Sequence, residues 1–201
     1  MTQEADRLAR AVAAIDAANA EDPDTIEVRG EIRPKEQAHA EMMTEWVRRL
    51  DPDAVDAQLL AARAHHLRRW SIPRASFPDG RTGYLRWRTA LKKQHAEEVG
   101  EILGREGYGP DVIEVVQRIV RKEGLSADPM VQTHEDALCL VFLETQLLDL
   151  ARDQGDDKTV DIVRKTVAKM SERGIEAALA LDLPAEALAL LGRAMASIEE
   201  A

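Results

Sequence analysis

Ala137-Leu138-Cys139-Leu140-Val141-Phe142-Leu143 is the stretch on which the fold turns. It is apolar on every face, and a helix of that kind in a soluble protein lies at the centre of its bundle. Asp128-Pro129 offers a cap and a first-turn proline, and Gly155 follows the end, so an all-apolar central helix is expected over about 129–152. Cys139 within it reads as an inert buried thiol. Outward from this helix, helical punctuation recurs and no strand-like alternation of useful length is found. Helices are expected over about 4–20, 34–50, 52–70, 83–105, 110–124 and 157–173, the last stopped by Gly174, and again from Pro184. An acidic loop, 21–33, and a Pro/Gly loop, 71–82, separate some of them. Gly107-Tyr108-Gly109 has no strand before it, which makes it a turn and not a dinucleotide fingerprint. The expected class is all-α: a single compact bundle of about eight helices in one domain, 1–201.

Composition agrees with a globular chain. Of 201 residues, 45% are hydrophobic and 32% charged, enough to bury a core without staples. A single cysteine excludes an internal disulfide and fits a reducing, cytoplasmic compartment. No apolar run approaches the roughly 20 residues of a membrane helix. The polar start, Met1 to Asp6, is unlike a signal peptide.

Net charge is −10, but it is unevenly placed. Arg63, Arg68, Arg69, Arg74, Arg81, Arg86, Arg88, Lys92 and Lys93 face only Asp79 within their segment, a local charge of +8. The same segment, 63–93, holds Trp70, Phe77, Tyr84 and Trp87, four of the seven aromatics. A cationic island on an acidic protein attracts a compact anion, and basic with aromatic side chains suit phosphates and bases.

Helical phase, about 100° per residue, selects ionisable groups on apolar stripes. The stripe Val55-Leu59-Ala62-His66-Trp70 turns His66 inward, with Arg63 in the same arc and His65 outside it. Tyr84, Trp87, Leu91, His95, Val99 and Ile102 turn His95 inward, and His39 leans inward with Met42, Met43 and Trp46. Asp136 heads the stripe Leu140, Leu143, Leu147, Leu150. A single buried histidine is ordinarily satisfied by a carbonyl or a carboxylate. Imidazoles and a carboxylate that meet in a bundle core make a divalent-metal site.

At these residues the chain resembles the Domain of Unknown Function 4202 family over nearly its full length. The resemblance rests on Ile15-Asp16-Ala17-Ala18-Asn19, on Ala61 through Arg74 including His65-His66-Leu67-Arg68-Arg69-Trp70, and on Gly83-Tyr84-Leu85-Arg86-Trp87-Arg88. It continues through Leu91-Lys92-Lys93-Gln94-His95-Ala96, Gln132 through Glu144, and Lys169-Met170-Ser171-Glu172-Arg173-Gly174. It implies little biochemistry. His66, His95 and Asp136 fit the family pattern best; Tyr stands there in place of His39, the weakest ligand candidate. The order His39, His66, His95, Asp136 also resembles, faintly, the HD-domain phosphohydrolases, although Leu67 replaces the Asp of their defining pair. Lys169-Met170-Ser171-Glu172-Arg173 resembles an incomplete class I aminoacyl-tRNA synthetase signature, without the βαβ context that signature needs.

Three functions follow as expectations. The first is metal-dependent hydrolysis of a nucleotide or other phosphate ester. In it His66, His95, Asp136 and His39 hold Mn, Mg, Zn or Co, and no other cofactor is needed. Arg63, Arg69, Arg74, Arg88 and Lys92 would bind the phosphate, and Trp70 or Trp87 would stack on a base. The alternative is a non-catalytic RNA- or nucleotide-binding module built on segment 63–93, weakened by salt. The third is a scaffold whose last helix, from Pro184 to Ile198, docks a partner or makes a homo-oligomer. No membrane partner is expected.

Overall fold

The acidic loop after the first helix is where the chain departs most from a purely helical pattern. In the computed structural model, which describes residues 3–199, this loop holds a hairpin of β1 (Thr25–Val28) and β2 (Glu31–Pro34). The strands are antiparallel with Thr25 opposite Pro34 and Val28 opposite Glu31. Arg29 and Gly30 turn with φ of +55° and +80°, the left-handed pair that matches hairpin twist. Thr25-Ile26-Glu27-Val28 does alternate polar with apolar, but over four residues the signal is too short to separate from a loop.

Otherwise the fold is all-α, with ten α-helices among the described residues and single 3₁₀ turns at Arg69–Ser71 and Arg74–Ser76. Contacts cluster into two compact units, Met1–Gly124 and Leu125–Ala201. The first contains α1 (Gln3–Asn19), the hairpin, α2 (Lys35–Leu50), α3 (Asp56–Arg63), α4 (Gly80–Arg105) and α5 (Pro110–Arg121). There α4 packs on α5, and α3 lies against α1, α2 and α5. Ile15, Met43, Leu60, Leu67, Leu103 and Ile119 are fully buried at its core.

The second unit contains α6 (Pro129–Thr145), α7 (Leu147–Gln154), α8 (Asp156–Val167), α9 (Glu172–Leu179) and α10 (Ala185–Glu199). Here α6 contacts α7 and α9, while α8 contacts α7 and α10. The opening of α6 is as expected: Asp128 accepts from the Met130 amide at 2.8 Å and Pro129 takes the first turn. Ala137, Cys139, Leu140, Val141 and Leu143 are buried, while Leu138 and Phe142, one turn apart on the same face, are half-buried, so the apolar run is not covered equally on every side.

Several boundaries differ from the sequence reading: α3 begins at Asp56 and not at Pro52, α4 begins at Gly80 and not at Gly83, and α8 ends at Val167 and not at Arg173. The helix begun near Asp56 stops at Arg63 and not at Trp70, because the chain turns through Ala64–Arg68 and Arg68 takes left-handed dihedrals, φ +49°. The central helix breaks at Gln146, which leaves helical dihedrals just after the Thr145 hydroxyl bonds back to the Val141 carbonyl. Gly174 does not end a helix. It lies in the first turn of α9, where Ser171 caps by accepting from the Gly174 amide at 3.2 Å.

Candidate metal centre

The first turn of α2 is built around a cap that its own N-terminal residue cannot give. Pro34 precedes the helix and has no side-chain acceptor, so the buried carboxylate of Asp22 serves from the loop before β1. Asp22 accepts from the Asp24 amide at 3.0 Å and from the Glu36 amide at 2.9 Å. That fixes Glu36 and, three residues on, His39 on one face of α2. Both are buried.

The third member comes from the turn after α3. Asn19, at the end of α1, holds that turn at both ends: its amide group donates to the Arg63 carbonyl at 3.5 Å, and its carbonyl accepts from the Arg68 amide at 3.4 Å. The Arg63 guanidinium donates to both carboxylate oxygens of Asp16, at 2.5 and 2.7 Å, and approaches Glu41 at 3.4 Å. With the turn so anchored, His66 places Nδ1 3.1 Å from Glu36 Oε2, while His39 Nδ1 lies 3.6 Å from the same oxygen. Glu36, His39 and His66 each offer one ligand atom, all within 4.8 Å of one another. The His66 side chain is 21% exposed, which leaves the cluster open on one side.

Electrostatics prepare these groups as ligands. Burial works against the Glu36 carboxylate, yet the charge interaction with His66 and the hydrogen bonds from His39 and His66 outweigh it. They hold its pKa well below the usual carboxylate value. Burial pushes His66 down to about 4 against the pull of Glu36, so the imidazole is neutral at pH 7 and has a lone pair to offer. His95, on α4, has its ring 5.8 Å from that of His66. It donates from Nδ1 to the Leu67 carbonyl at 2.7 Å, and its buried Nε2 has no hydrogen-bond partner among the described residues. Burial, then the neighbouring His66, lowers its pKa to about 3.

Two arginines border the cluster. Arg69 Nε is 3.6 Å from Glu36 Oε1, and its guanidinium lies over the Trp87 ring at 4.6 Å. Arg88 acts electrostatically on both His66 and Arg69. It reaches the Tyr84 hydroxyl at 3.4 Å and makes no ion pair among the described residues.

With this geometry in view, the family comparison acquires content. A model of the family described as Domain of unknown function (DUF4202) matches residues 9–191. The chain belongs to that family. No curated protein and no solved structure matches it, and the faint likeness to HD-domain phosphohydrolases is not borne out. In this DUF4202 chain the segments that carry the resemblance have physical tasks: Ile15–Asn19 contributes Asp16 and Asn19, which anchor the turn that presents His66.

The structure sorts the residues singled out from sequence. It brings His39 and His66 together and sets His95 beside them. His66 arrives by a turn and not by helical phase, and for the same reason its neighbour His65, expected outside the apolar arc, is buried and stacked on it at 4.1 Å. Asp136 belongs to the unit Leu125–Ala201. Fully buried, it accepts from the Ser171 amide at 2.9 Å, the Ser171 hydroxyl at 2.5 Å and the Gln132 amide group at 2.9 Å. Lys169–Gly174 is therefore a docking segment for α6 and the cap of α9, and the synthetase-like string in it is incidental.

Among the basic candidates, Arg63 is taken by Asp16, and Arg74 ties its own loop by donating to the Phe77 and Pro78 carbonyls at 2.9 and 3.0 Å. Lys92 acts on Glu123. Arg69 and Arg88 stand at the cluster. Trp87 is buried, donates its indole N–H to the Ile72 carbonyl at 2.8 Å, and packs under Arg69, the work of an anchor more than of a base platform. Trp70 is half-buried in the 3₁₀ turn. Sequence reading missed Glu36, although a signal was present: Glu36-Gln37-Ala38-His39 is the Glu-x-x-His spacing that puts a carboxylate and an imidazole on one helical face.

Proposed function

We propose that Glu36, His39 and His66 bind a divalent cation and that the protein hydrolyses a phosphate ester or nucleotide there, in the cytoplasm. The observation that carries this is the convergence of one ionised carboxylate and two imidazoles within 4.8 Å, drawn from two separate elements. His95 supplies a further nitrogen donor beside them. Two nitrogens with one carboxylate suit Zn, Mn or Co better than Mg, which prefers oxygen. A cation so held lowers the pKa of water toward about 7. Arg69 and Arg88 orient the phosphate and offset its charge. No helix among the described residues is long and apolar enough to cross a membrane.

The reading is tested by metal analysis of the purified protein and by phosphate release from a panel of nucleotides and phosphate esters with Mn, Mg, Co and Zn. Near-stoichiometric metal is expected, with loss in His66→Ala and Glu36→Gln and at least a hundredfold drop in turnover. Absence of metal, together with no phosphate release across the panel, overturns it. A non-catalytic nucleotide- or RNA-binding module is the second reading. The Arg69–Glu36 contact favours it, since a guanidinium satisfies the carboxylate without a cation.

A further inference from the structure

The nine basic residues of segment 63–93 look, in sequence, like a track for a polyanion. In the folded chain most of that charge is already balanced. Arg63 is held by Asp16, and Arg68 lies between Glu21 at 3.7 Å and Glu98 at 3.6 Å. Lys93 pairs with Glu97 at 3.7 Å, Lys92 acts on Glu123, and Arg74 is turned into its own loop carbonyls. Arg81, Arg86 and Arg88 make no ion pair among the described residues. Arg86 stands about 200° around α4 from Arg88, on another face, while Arg81 shares nearly the same face as Arg88 but lies about 10 Å along the helix, farther than one phosphate group spans.

What remains at the metal ligands is a pair. Arg69 rests over Trp87 at 4.6 Å, Trp87 lies against Tyr84 at 5.9 Å, and Arg88 reaches the Tyr84 hydroxyl at 3.4 Å, so the two guanidinium groups flank one aromatic pair; among the described residues Glu36 is the one carboxylate in an ion pair with Arg69. Like charges brought together beside a buried carboxylate are stabilised by an anion, and a forked guanidinium matches phosphate oxygens. Arg69 is also mechanically set, its plane resting on Trp87 and its position following from the turn that presents His66.

We propose that Arg69 and Arg88 form a clamp for the single phosphate group of a small phosphomonoester, and that the basic segment does not carry an RNA strand. This rests on the metal reading for one feature. A cation on Glu36 takes over that carboxylate and releases Arg69 to the phosphate, so cation and phosphate bind cooperatively.

Calorimetric titration of the full-length protein with inorganic phosphate, 5′-uridine monophosphate and a twelve-nucleotide oligouridylate, each with and without Mn, tests the clamp. Phosphate is expected to bind at least tenfold more tightly to the Mn-loaded protein. Arg69→Ala and Arg88→Ala each lose at least tenfold for phosphate while Mn still binds, and Arg86→Ala changes nothing. Arg69→Lys keeps the charge and the fold but loses the fork, and binds phosphate several-fold more weakly. The oligonucleotide is expected to bind no more tightly than the monophosphate, with a shallow salt dependence. If Mn does not bind but phosphate affinity still depends on Arg69 and Arg88, the clamp is supported and the metal reading falls. Phosphate binding that is absent, or indifferent to both arginines, overturns the clamp. So does an oligonucleotide that binds tenfold more tightly than the monophosphate and loses affinity in Arg86→Ala and Arg81→Ala.

Discussion

His66 shows how a single residue can be identified correctly for an incomplete reason. Its apolar stripe assumed a helix to Trp70, yet the helix ends at Arg63 and the turn, clamped by Asn19 and Asp16, delivers the ring to Glu36. The same mistaken phase set His65 outside, where the structure buries it. Depressed histidine pKa values carry a stability consequence. His66 titrates at about 4 and His95 at about 3 in the folded chain, both below the ordinary 6.5. Between roughly pH 6.5 and 4 the unfolded chain therefore binds protons that the folded chain refuses, and stability falls as pH falls through that window. The urea midpoint of metal-free protein should decline from pH 7 to 4.5, less steeply in His95→Gln; a flat profile would contradict the burial assigned to these rings. Arg63 makes a contrasting prediction. As half of a largely buried ion pair with Asp16 that anchors the turn presenting His66, its replacement by Ala should cost about 1–3 kcal/mol of stability, read from denaturation, and weaken metal binding in the folded fraction.

At the scale of elements, the largely buried apolar run in α6 was legible because a stretch apolar on every face signals burial without knowledge of its partners. The junction of α6 with α9 was not, because it depends on a close approach between residues far apart in sequence. Gly174 shows this. A Cβ at that position would lie 2.7 Å from Asp136 Cγ, so the glycine permits contact, and a sequence rule that takes glycine as a helix stop misplaces it. Gly174→Ala should destabilise the protein by about 1–3 kcal/mol through this overlap. Asp136→Asn and Ser171→Ala weaken the same junction by removing a charge-assisted or hydroxyl bond. If Asp136 is confined to this structural role, all three variants melt earlier and retain their metal. Metal loss in folded Asp136→Asn would instead make Asp136 a ligand, as its place at the head of an apolar stripe first suggested.

Across the whole molecule, the all-α class followed from composition and punctuation, while two contact units and a neutralised basic segment did not. Counting charges along the chain registers Arg63, Arg68 and Lys93 as excess, but Asp16, Glu21, Glu98 and Glu97 are brought to them by folding or by helical spacing. After such pairing Arg81, Arg86 and Arg88 are left without an ion pair among the described residues, and of these Arg88 acts on His66 and on Arg69, whose own partner, Glu36, is the carboxylate that a cation would take over. Cation binding should then be visible as a local change in stability. A ligand that binds only the folded state at a hundred times its Kd adds about 2.7 kcal/mol. The ligands lie in the first turn of α2 and the turn after α3, so amide exchange monitored with and without Mn or Zn should slow most at Glu36–Ala40 and at Ala64–Arg69. Protection that is strongest instead around Gln132–Asp136 and Ser171–Gly174 would move the cation to Asp136, and unchanged exchange everywhere at saturating metal would leave Glu36 with Arg69 as its only cation.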